Sequence, residues 1–216
     1  MKSKRLNAIA DLINKNYSFT DIGCDHGYLA MIVRESGNRN LIICSDDKIG
    51  PLNNARRNLE NYDNILFVLS DGAKEIKKQT DIAVLAGLGF QTVRKIISES
   101  LAYFRKCKKI IIQVNQNVDL LRRWLLENEF KIVDEMIILE YKYYEILVVE
   151  NGKTELSEEQ IIFGPYLLKE KSKAFRDYYH KQIKKINLII NKLNPEHPDR
   201  IKLEEKLLKI RKMLKD

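Results

Sequence analysis

The chain lacks any apolar run of the ~18 residues that a membrane-crossing helix requires. No transmembrane helix is expected, and no membrane partner. It also lacks a cysteine framework: Cys24, Cys44 and Cys107 are odd in number and widely spaced. That spacing fits neither paired disulfides nor a zinc site, so no metal is expected. Reduced thiols suit the cytosol, and a cytoplasmic location is expected. The start, Met1-Lys2-Ser3-Lys4-Arg5, is basic, but a broken amphipathic pattern follows it in place of a signal-peptide core. The last quarter is short of acid. From Tyr166 onward 15 Lys/Arg stand against 7 Asp/Glu, while the rest of the 38 basic and 30 acidic residues balance at 23 each. The whole net charge of +8 therefore sits in the tail.

What is present allows a real core. Hydrophobic residues make up 44% of 216, enough for one good-sized domain with an appendage. The one-sided charge points to a polyanionic partner, nucleic acid ahead of an anionic membrane. The bland alternative is a solvated, lysine-rich surface.

Apolar periodicity predicts a first helix over 3–14, with Leu6, Ile9 and Ile13 on one face. A strand over 17–22 leads into the turn Gly23-Cys24-Asp25-His26-Gly27 and a helix from Tyr28. Strands follow over 41–45, 65–69, 82–86 and 110–114, with helices over 53–61, near Ala73, over 91–103 and over 119–128. Two strands, 131–140 and 143–149, then come with no helix between them. Alternation of this kind indicates an α/β fold with a doubly wound parallel sheet. A closing hairpin is the usual finish of a class I methyltransferase sheet, and ordinary dinucleotide dehydrogenases lack it.

Past Gly152 the character changes. Phe163-Gly164-Pro165 is a break before a long helix. Phe175, Tyr179, Ile183, Ile186, Ile190 and Leu193 are spaced 4, 4, 3, 4, 3, which is a heptad seam. The turn Asn194-Pro195-Glu196-His197-Pro198-Asp199 precedes Leu203, Leu207, Ile210 and Leu214, spaced 4, 3, 4. An antiparallel helical hairpin of coiled-coil type is expected. The chain divides into 1–162, Rossmann-like, and 163–216, helical.

The strongest local motif is Asp21-Ile22-Gly23-Cys24-Asp25-His26-Gly27, where the first strand meets a helix. Gly23 allows a positive φ, Gly27 a close backbone approach, and the helix-start N–H groups could hold a ligand's polar end. Asp25 occupies the middle of the loop, where it would repel a pyrophosphate but tolerate a cationic sulfonium. Asp46, some 20 residues after the loop at the end of the second strand, can accept both hydroxyls of a ribose. Asp71 can accept from an adenine amine beside Gly72, while the glycines of Ala86-Gly87-Leu88-Gly89 bare a rim for a flat base. Each acid alone is more often a cap or turn residue. Together they lie at the carboxyl ends of successive strands, where such sheets bind ligands. Asp21, Gly23, Asp25, Asp46, Asp71, Gly72, Ala86 and Gly87 are thus the expected cofactor-binding set.

With these residues assembled, the chain resembles the bacterial tRNA adenine-22 methyltransferases, the TrmK family. The resemblance rests on Ser3-Lys4-Arg5-Leu6, on the loop and its continuation Tyr28-Leu29, and on Ala86-Gly87-Leu88-Gly89. It continues through Gln113-Val114-Asn115, Tyr144-Glu145-Ile146-Leu147-Val148 and Phe163-Gly164-Pro165-Tyr166-Leu167. It implies an S-adenosylmethionine-binding domain, methylation of ring nitrogen 1 of adenine 22, and a coiled-coil domain that helps to hold tRNA. The departures are Cys24, Gly27, Ala30, Asp46 and Leu88-Gly89-Phe90, which touch the shape of the pocket.

A neutral adenine N1 can attack a sulfonium methyl directly, so alignment is the main task. Asp25 is the catalytic candidate, stabilising or relieving the positive charge of the product base. Tyr28 would stack or hydrogen-bond at the same rim, and His26 would hold the loop. The base must leave its stack, with Gly87 and Phe90 placed to receive it. Gln113 and Asn115 would read base edges. Lys181, Lys184, Lys185, Lys192, Lys202 and Lys206 would face phosphates. Two other readings compete: a nicotinamide-dependent oxidoreductase, opposed by Asp25 and the hairpin, and a non-catalytic RNA-binding protein, opposed by the intact Asp46 and Asp71. The sequence leaves the oligomeric state open, with a monomer as the default.

Overall fold

A computed structural model of the chain describes residues 3–194 and 196–215. Met1 and Lys2 of the basic start, Pro195 of the expected turn and Asp216 lie outside the described residues.

Seven strands make one sheet: β1 (Phe19–Ile22), β2 (Ile42–Asp46), β3 (Ile65–Leu69), β4 (Ile82–Leu88), β5 (Lys109–Val114), β6 (Phe130–Leu139) and β7 (Tyr143–Asn151). Their order is β3-β2-β1-β4-β5-β7-β6. The first five are parallel, and β7 runs antiparallel to both β5 and β6. The expected closing hairpin is therefore present, with β7 inserted beside β5. The helices of this part are α1 (Lys4–Asp11), α2 (Tyr28–Glu35), α3 (Ile49–Asn58), α4 (Phe90–Glu99), α5 (Leu101–Phe104) and α6 (Val118–Glu127).

Alternate strand residues serve opposite faces, which is why the central strands read as unbroken apolar runs. On one face Ile43, Ala83, Leu85, Ile110 and Ile112 join Val93, Ile97, Leu121 and Leu125 of α4 and α6. On the other Phe19, Ile42, Val84 and Ile111 join Ile9, Leu29, Val33 and Leu52 of α1, α2 and α3. Strand order reverses between β1 and β4, and in such sheets the carboxyl ends of the strands at this switch point form the ligand crevice.

No helix forms near Ala73. The segment after β3 is a turn, closed by Ser70 Oγ, which accepts from Glu75 N at 3.2 Å and donates to Gly72 O at 3.0 Å. Serine side chains that bond the backbone in this way compete with helix formation.

The tail is α7 (Glu158–Phe163), α8 (Pro165–Glu170), α9 (Lys173–Ile190) and α10 (Pro198–Lys215). The long helix expected after Pro165 is interrupted at Lys171, whose φ is +44°. Ser172 then caps α9 by accepting from Phe175 N at 3.3 Å. Helices α9 and α10 run antiparallel: Lys171 Nζ, just before α9, donates to Met213 O near the end of α10 at 2.9 Å. Phe175, Tyr179, Ile186 and Ile190 pack with Leu207, Ile210 and Met213, so most of the expected seam is buried. The same cluster rests on Ile137 of β6 and Tyr143 of β7.

Candidate active site

The loop after β1 is held to β2. Gly23 N and Cys24 N both donate to Ser45 O, at 2.8 and 2.9 Å, and Gly27 N donates to Cys24 O at 2.8 Å. Asp25, at φ +48°, donates its N–H to Asp46 Oδ2 at 3.1 Å. The second carboxylate oxygen of Asp46 accepts from Lys48 N at 3.1 Å. The amides of Gly23, Cys24, Asp25 and Gly27 are thus engaged within the protein, and α2 begins beyond them at Tyr28. The loop therefore presents acids, which suits a cationic ligand better than a pyrophosphate. Gly27 allows the close approach expected of it, and the neighbour is α3. A Cβ there would lie 2.7 Å from Leu59 Cδ1 and 3.2 Å from Ala55 Cβ, so this glycine lets α2 approach α3 and serves packing.

Asp21 and Asp46 are both buried, on adjacent strands. Burial pushes the Asp21 carboxyl up to about 7, with Arg5 pulling it down and Asp46 adding to the rise. Among the described residues no hydrogen-bond donor reaches the Asp21 carboxylate. Asp25 points outward at the rim, 3.6 Å from His26 Nε2. The His26 ring stacks on the half-exposed Tyr28, with centroids 5.4 Å apart and planes 21° apart. Asn58 Nδ2 donates to His26 O at 2.9 Å and fixes this corner from α3.

Asp71 stands at the end of β3, half exposed. It pairs with Lys74 at 2.8 Å and Lys95 at 3.2 Å, which hold its carboxyl below the usual range. Gly72, at φ +73°, packs its Cα on Ile96, where a Cβ would come within 3.0 Å. On β4 a bulge between Ala86 and Leu88 turns Gly87 outward at φ +80°. Bulges of this kind re-aim backbone beside functional sites. Phe90, expected to receive a base, is instead buried in the core.

Gln113 is not free to read a base edge, as it was expected to do. It is fully buried, its Oε1 accepts from Gly87 N at 3.1 Å, and its Nε2 donates to Val114 O at 2.8 Å. Its role is to hold the Gly87 bulge. Asn115 is exposed and donates to Gly87 O at 2.8 Å. Arg5, which the motifs did not single out for a role, completes the rim by donating to Gln113 Oε1 at 2.8 Å. One signal could have found it: α1 opens with Lys4 and Arg5 and has no acid in its first turn, against the preference of a helix dipole.

A second cleft, of about 510 Å³, lies between the turn after β5 and the helical tail. Asn115, Tyr143, Tyr178, Gln182, Lys202 and Lys206 are among its lining residues. Lys181 lies over the Tyr143 ring at 5.0 Å. Lys184, Lys185 and Lys192 are exposed but do not line this cleft. Among the described residues no cluster of three or more metal-ligating side chains occurs, and no helix is long and apolar enough to cross a membrane.

The family model for tRNA (adenine(22)-N(1))-methyltransferase matches residues 19–215. The Bacillus subtilis (strain 168) tRNA (adenine(22)-N(1))-methyltransferase is 28% identical over 203 residues, spanning 89% of this chain and 85% of its own. A Streptococcus pneumoniae protein crystallised in complex with S-adenosyl-L-methionine has a TM-score of 0.90 and 32% identity, over 99% of this chain and 100% of its own. The M. capricolum TrmK in complex with S-adenosyl-homocysteine has a TM-score of 0.86 and 29% identity, over 98% of this chain and 97% of its own.

Proposed function

The chain belongs to the tRNA (adenine(22)-N(1))-methyltransferase family, and from that membership we propose how its residues divide the work. It is an S-adenosylmethionine-dependent enzyme that methylates ring nitrogen 1 of adenine 22 in tRNA. The nicotinamide and non-catalytic readings are set aside by this membership.

One observation carries the assignment of residues. Two buried acids, Asp21 and Asp46, flank a loop whose Gly23, Cys24, Asp25 and Gly27 amides are already bonded within the protein. That cradle fits a cationic nucleoside cofactor. Asp46 would accept from the ribose hydroxyls, and Gly23, Ala86 and Gly87 would leave room for the chain that links ribose to sulfur. Asp71 and Gly72 would border the adenine, with Asp71 shared between the base and its two lysines. When bound, S-adenosylmethionine supplies an electrophilic methyl group.

The remaining residues handle the substrate. The bare Gly87 bulge, braced by Gln113 and Asn115, gives a flat base a path to the crevice. Tyr28, backed by His26, offers it a stacking face. Asp25 stabilises the positive charge that forms as N1 is alkylated, or takes up the exocyclic proton afterwards. Lys202 and Lys206 in the second cleft, with Lys181 beside it, meet the tRNA backbone, and Lys184, Lys185 and Lys192 add to the field. We divide the chain into a catalytic part, 1–162, and a tRNA-holding part, 163–216, with the two tail helices paired as a coiled coil. One chain carries both clefts, so a monomer suffices, working in the cytoplasm where tRNA is found.

The test is to incubate unmodified tRNA with the protein and methyl-labelled cofactor and map the modified base. N1-methyladenine at position 22 is expected. Label elsewhere, or none, would sink the assignment.

A further inference from the structure

The β6–β7 hairpin reaches past the strand it rests on. Register sets Ile112 of β5 opposite Leu147 of β7, so Val114, the last residue of β5, falls level with Glu145. The two hairpin strands stay paired as far as Leu139 and Tyr143. Tyr141, in the turn between them, therefore stands roughly 10 Å beyond the carboxyl end of β5. The tip is a wall on the side of the sheet where a ligand enters.

This wall is tied down. The turn Glu140-Tyr141-Lys142 closes with Glu140 N donating to Lys142 O at 3.1 Å. Glu140 Oε1 accepts from Lys4 N at 2.7 Å, which joins the tip to the start of α1. Lys142 Nζ donates to Asn115 Oδ1 at 3.5 Å, and Asn115 Nδ2 donates to Gly87 O at 2.8 Å. Asn115 thus connects the turn to the bulge that gives a flat base its path.

Tyr141 itself stays open. It is 78% exposed, more than any other large apolar or aromatic side chain among the described residues. It meets the buried Tyr144 in a perpendicular contact, with centroids 5.5 Å apart and planes at 87°. Such a contact engages at most one face of the Tyr141 ring. Folding gains little from a ring placed so. Lys142 and Lys4, held to the same turn, are exposed. An open aromatic face among cations suits an unpaired stretch of nucleic acid, whose bases stack and whose phosphates carry charge. Turning adenine 22 out of its stack strips one face of the neighbouring base. Tyr28 can serve the adenine but not the base left behind.

We propose that Tyr141 stacks on the base next to adenine 22, taking the face that the departing adenine exposes. This rests on the reading of the crevice as the methylation site. Tyr141 is then a positioning residue, which holds the tRNA open while the adenine is at the rim.

The experiment uses the full chain with S-adenosylhomocysteine and tRNA that carries 2-aminopurine just before or, separately, just after position 22. This base is quenched when stacked and bright when not. Wild type and Tyr141→Phe should leave the probe quenched at one of the two positions, and Tyr141→Ala should brighten it at least about twofold. Tyr141→Ala should also lose at least about fivefold in kcat/KM for tRNA, the loss expected of one base–aromatic stack, with Tyr141→Phe near wild type. Affinity for S-adenosylhomocysteine should not change. A probe that brightens at both positions with wild type would overturn the proposal, whether or not Tyr141→Ala folds. Equal losses for Tyr141→Phe and Tyr141→Ala would overturn it in favour of a hydroxyl contact. A fall in cofactor affinity would overturn it and make Tyr141 a brace for Tyr144, and an unchanged kcat/KM for Tyr141→Ala would leave the ring without a role in the reaction and overturn it too. Wild type that does not methylate adenine 22 would instead overturn the reading of the crevice on which the proposal rests.

Discussion

Arg122 on α6 donates its Nε–H to Glu135 on β6 at 2.6 Å, with both side chains sealed from solvent. A second carboxylate, Glu145 of β7, accepts from Nη2 at 2.6 Å. The same arginine donates to the carbonyls of Ile161 and Ile162 at 3.3 and 3.4 Å. One guanidinium thus joins the sheet edge to the first helix of the tail. Arg122→Ala leaves two carboxylates there without their cation. It should destabilise the fold by about 3–5 kcal/mol, read by urea denaturation. A loss below about 1 kcal/mol would mean that water reaches the cluster.

Asp21 gives the protein a pH signature. Its carboxyl rises from 3.8 to about 7 on folding. Between those values the folded chain holds a proton that the unfolded chain has released, so stability should fall as pH rises across that window. A cationic ligand selects the carboxylate, so cofactor affinity should climb toward pH 7 and then level off. Asp21→Asn should flatten both profiles, raising the melting temperature above pH 7 while weakening the cofactor. Melting curves and titrations across the window check this, and a flat wild-type profile would contradict it.

Asp46→Ala should weaken S-adenosylmethionine by about 2 kcal/mol, since charge-assisted hydrogen bonds to the ribose are lost. The loop loses its Asp25 N–H acceptor as well, so Asp46→Asn, which keeps an acceptor oxygen, should lose less. Calorimetry on the full chain measures both. Unchanged affinity would remove Asp46 from the site.

Asp25→Ala should slow single-turnover methylation more than it weakens cofactor binding, because the side chain points outward and away from the buried pair. Equal losses in the two measurements would make Asp25 a cofactor ligand only.

Lys202→Gln with Lys206→Gln should reduce tRNA affinity more than Lys184→Gln with Lys185→Gln, because only the first pair lines the cleft. Each lost phosphate contact should lower the salt slope of binding by about one. Substitution is a cleaner test than deletion. A chain cut near Leu156 would remove the Ile161 and Ile162 carbonyls from Arg122. Equal effects of the two pairs would show that the lysines act as a diffuse field.

Sheet and seam were legible because their causes are local. The strands of β1 to β5 announce themselves as short apolar runs, and Phe175 to Ile190 as a helical repeat. The break at Lys171 was also written locally, as a serine cap at Ser172, but the longer apolar period masked it. The acids at the strand ends could be placed from the strand boundaries alone. What escaped depends on contacts far apart in sequence. Arg5 meets Gln113 across 108 positions. Gln113 looks like any polar strand end until Gly87 is seen to use its carbonyl. The close approach at Gly27 was legible, but its neighbour Leu59 was not.

The tail is a there-and-back path. It turns at Gly164, between α7 and α8, and Lys171 then bonds Met213, so the end of α10 returns beside the start of α9. An 18-residue α9 carries the far turn about 27 Å away. Both anchored ends lie next to the catalytic body, so the distant bend is the free variable. Matched turns could be added to or trimmed from the two helices without disturbing strand, loop or crevice. Reach and chemistry can therefore drift independently in descendants of this chain, one adjusting to the size of its RNA while the other stays fixed.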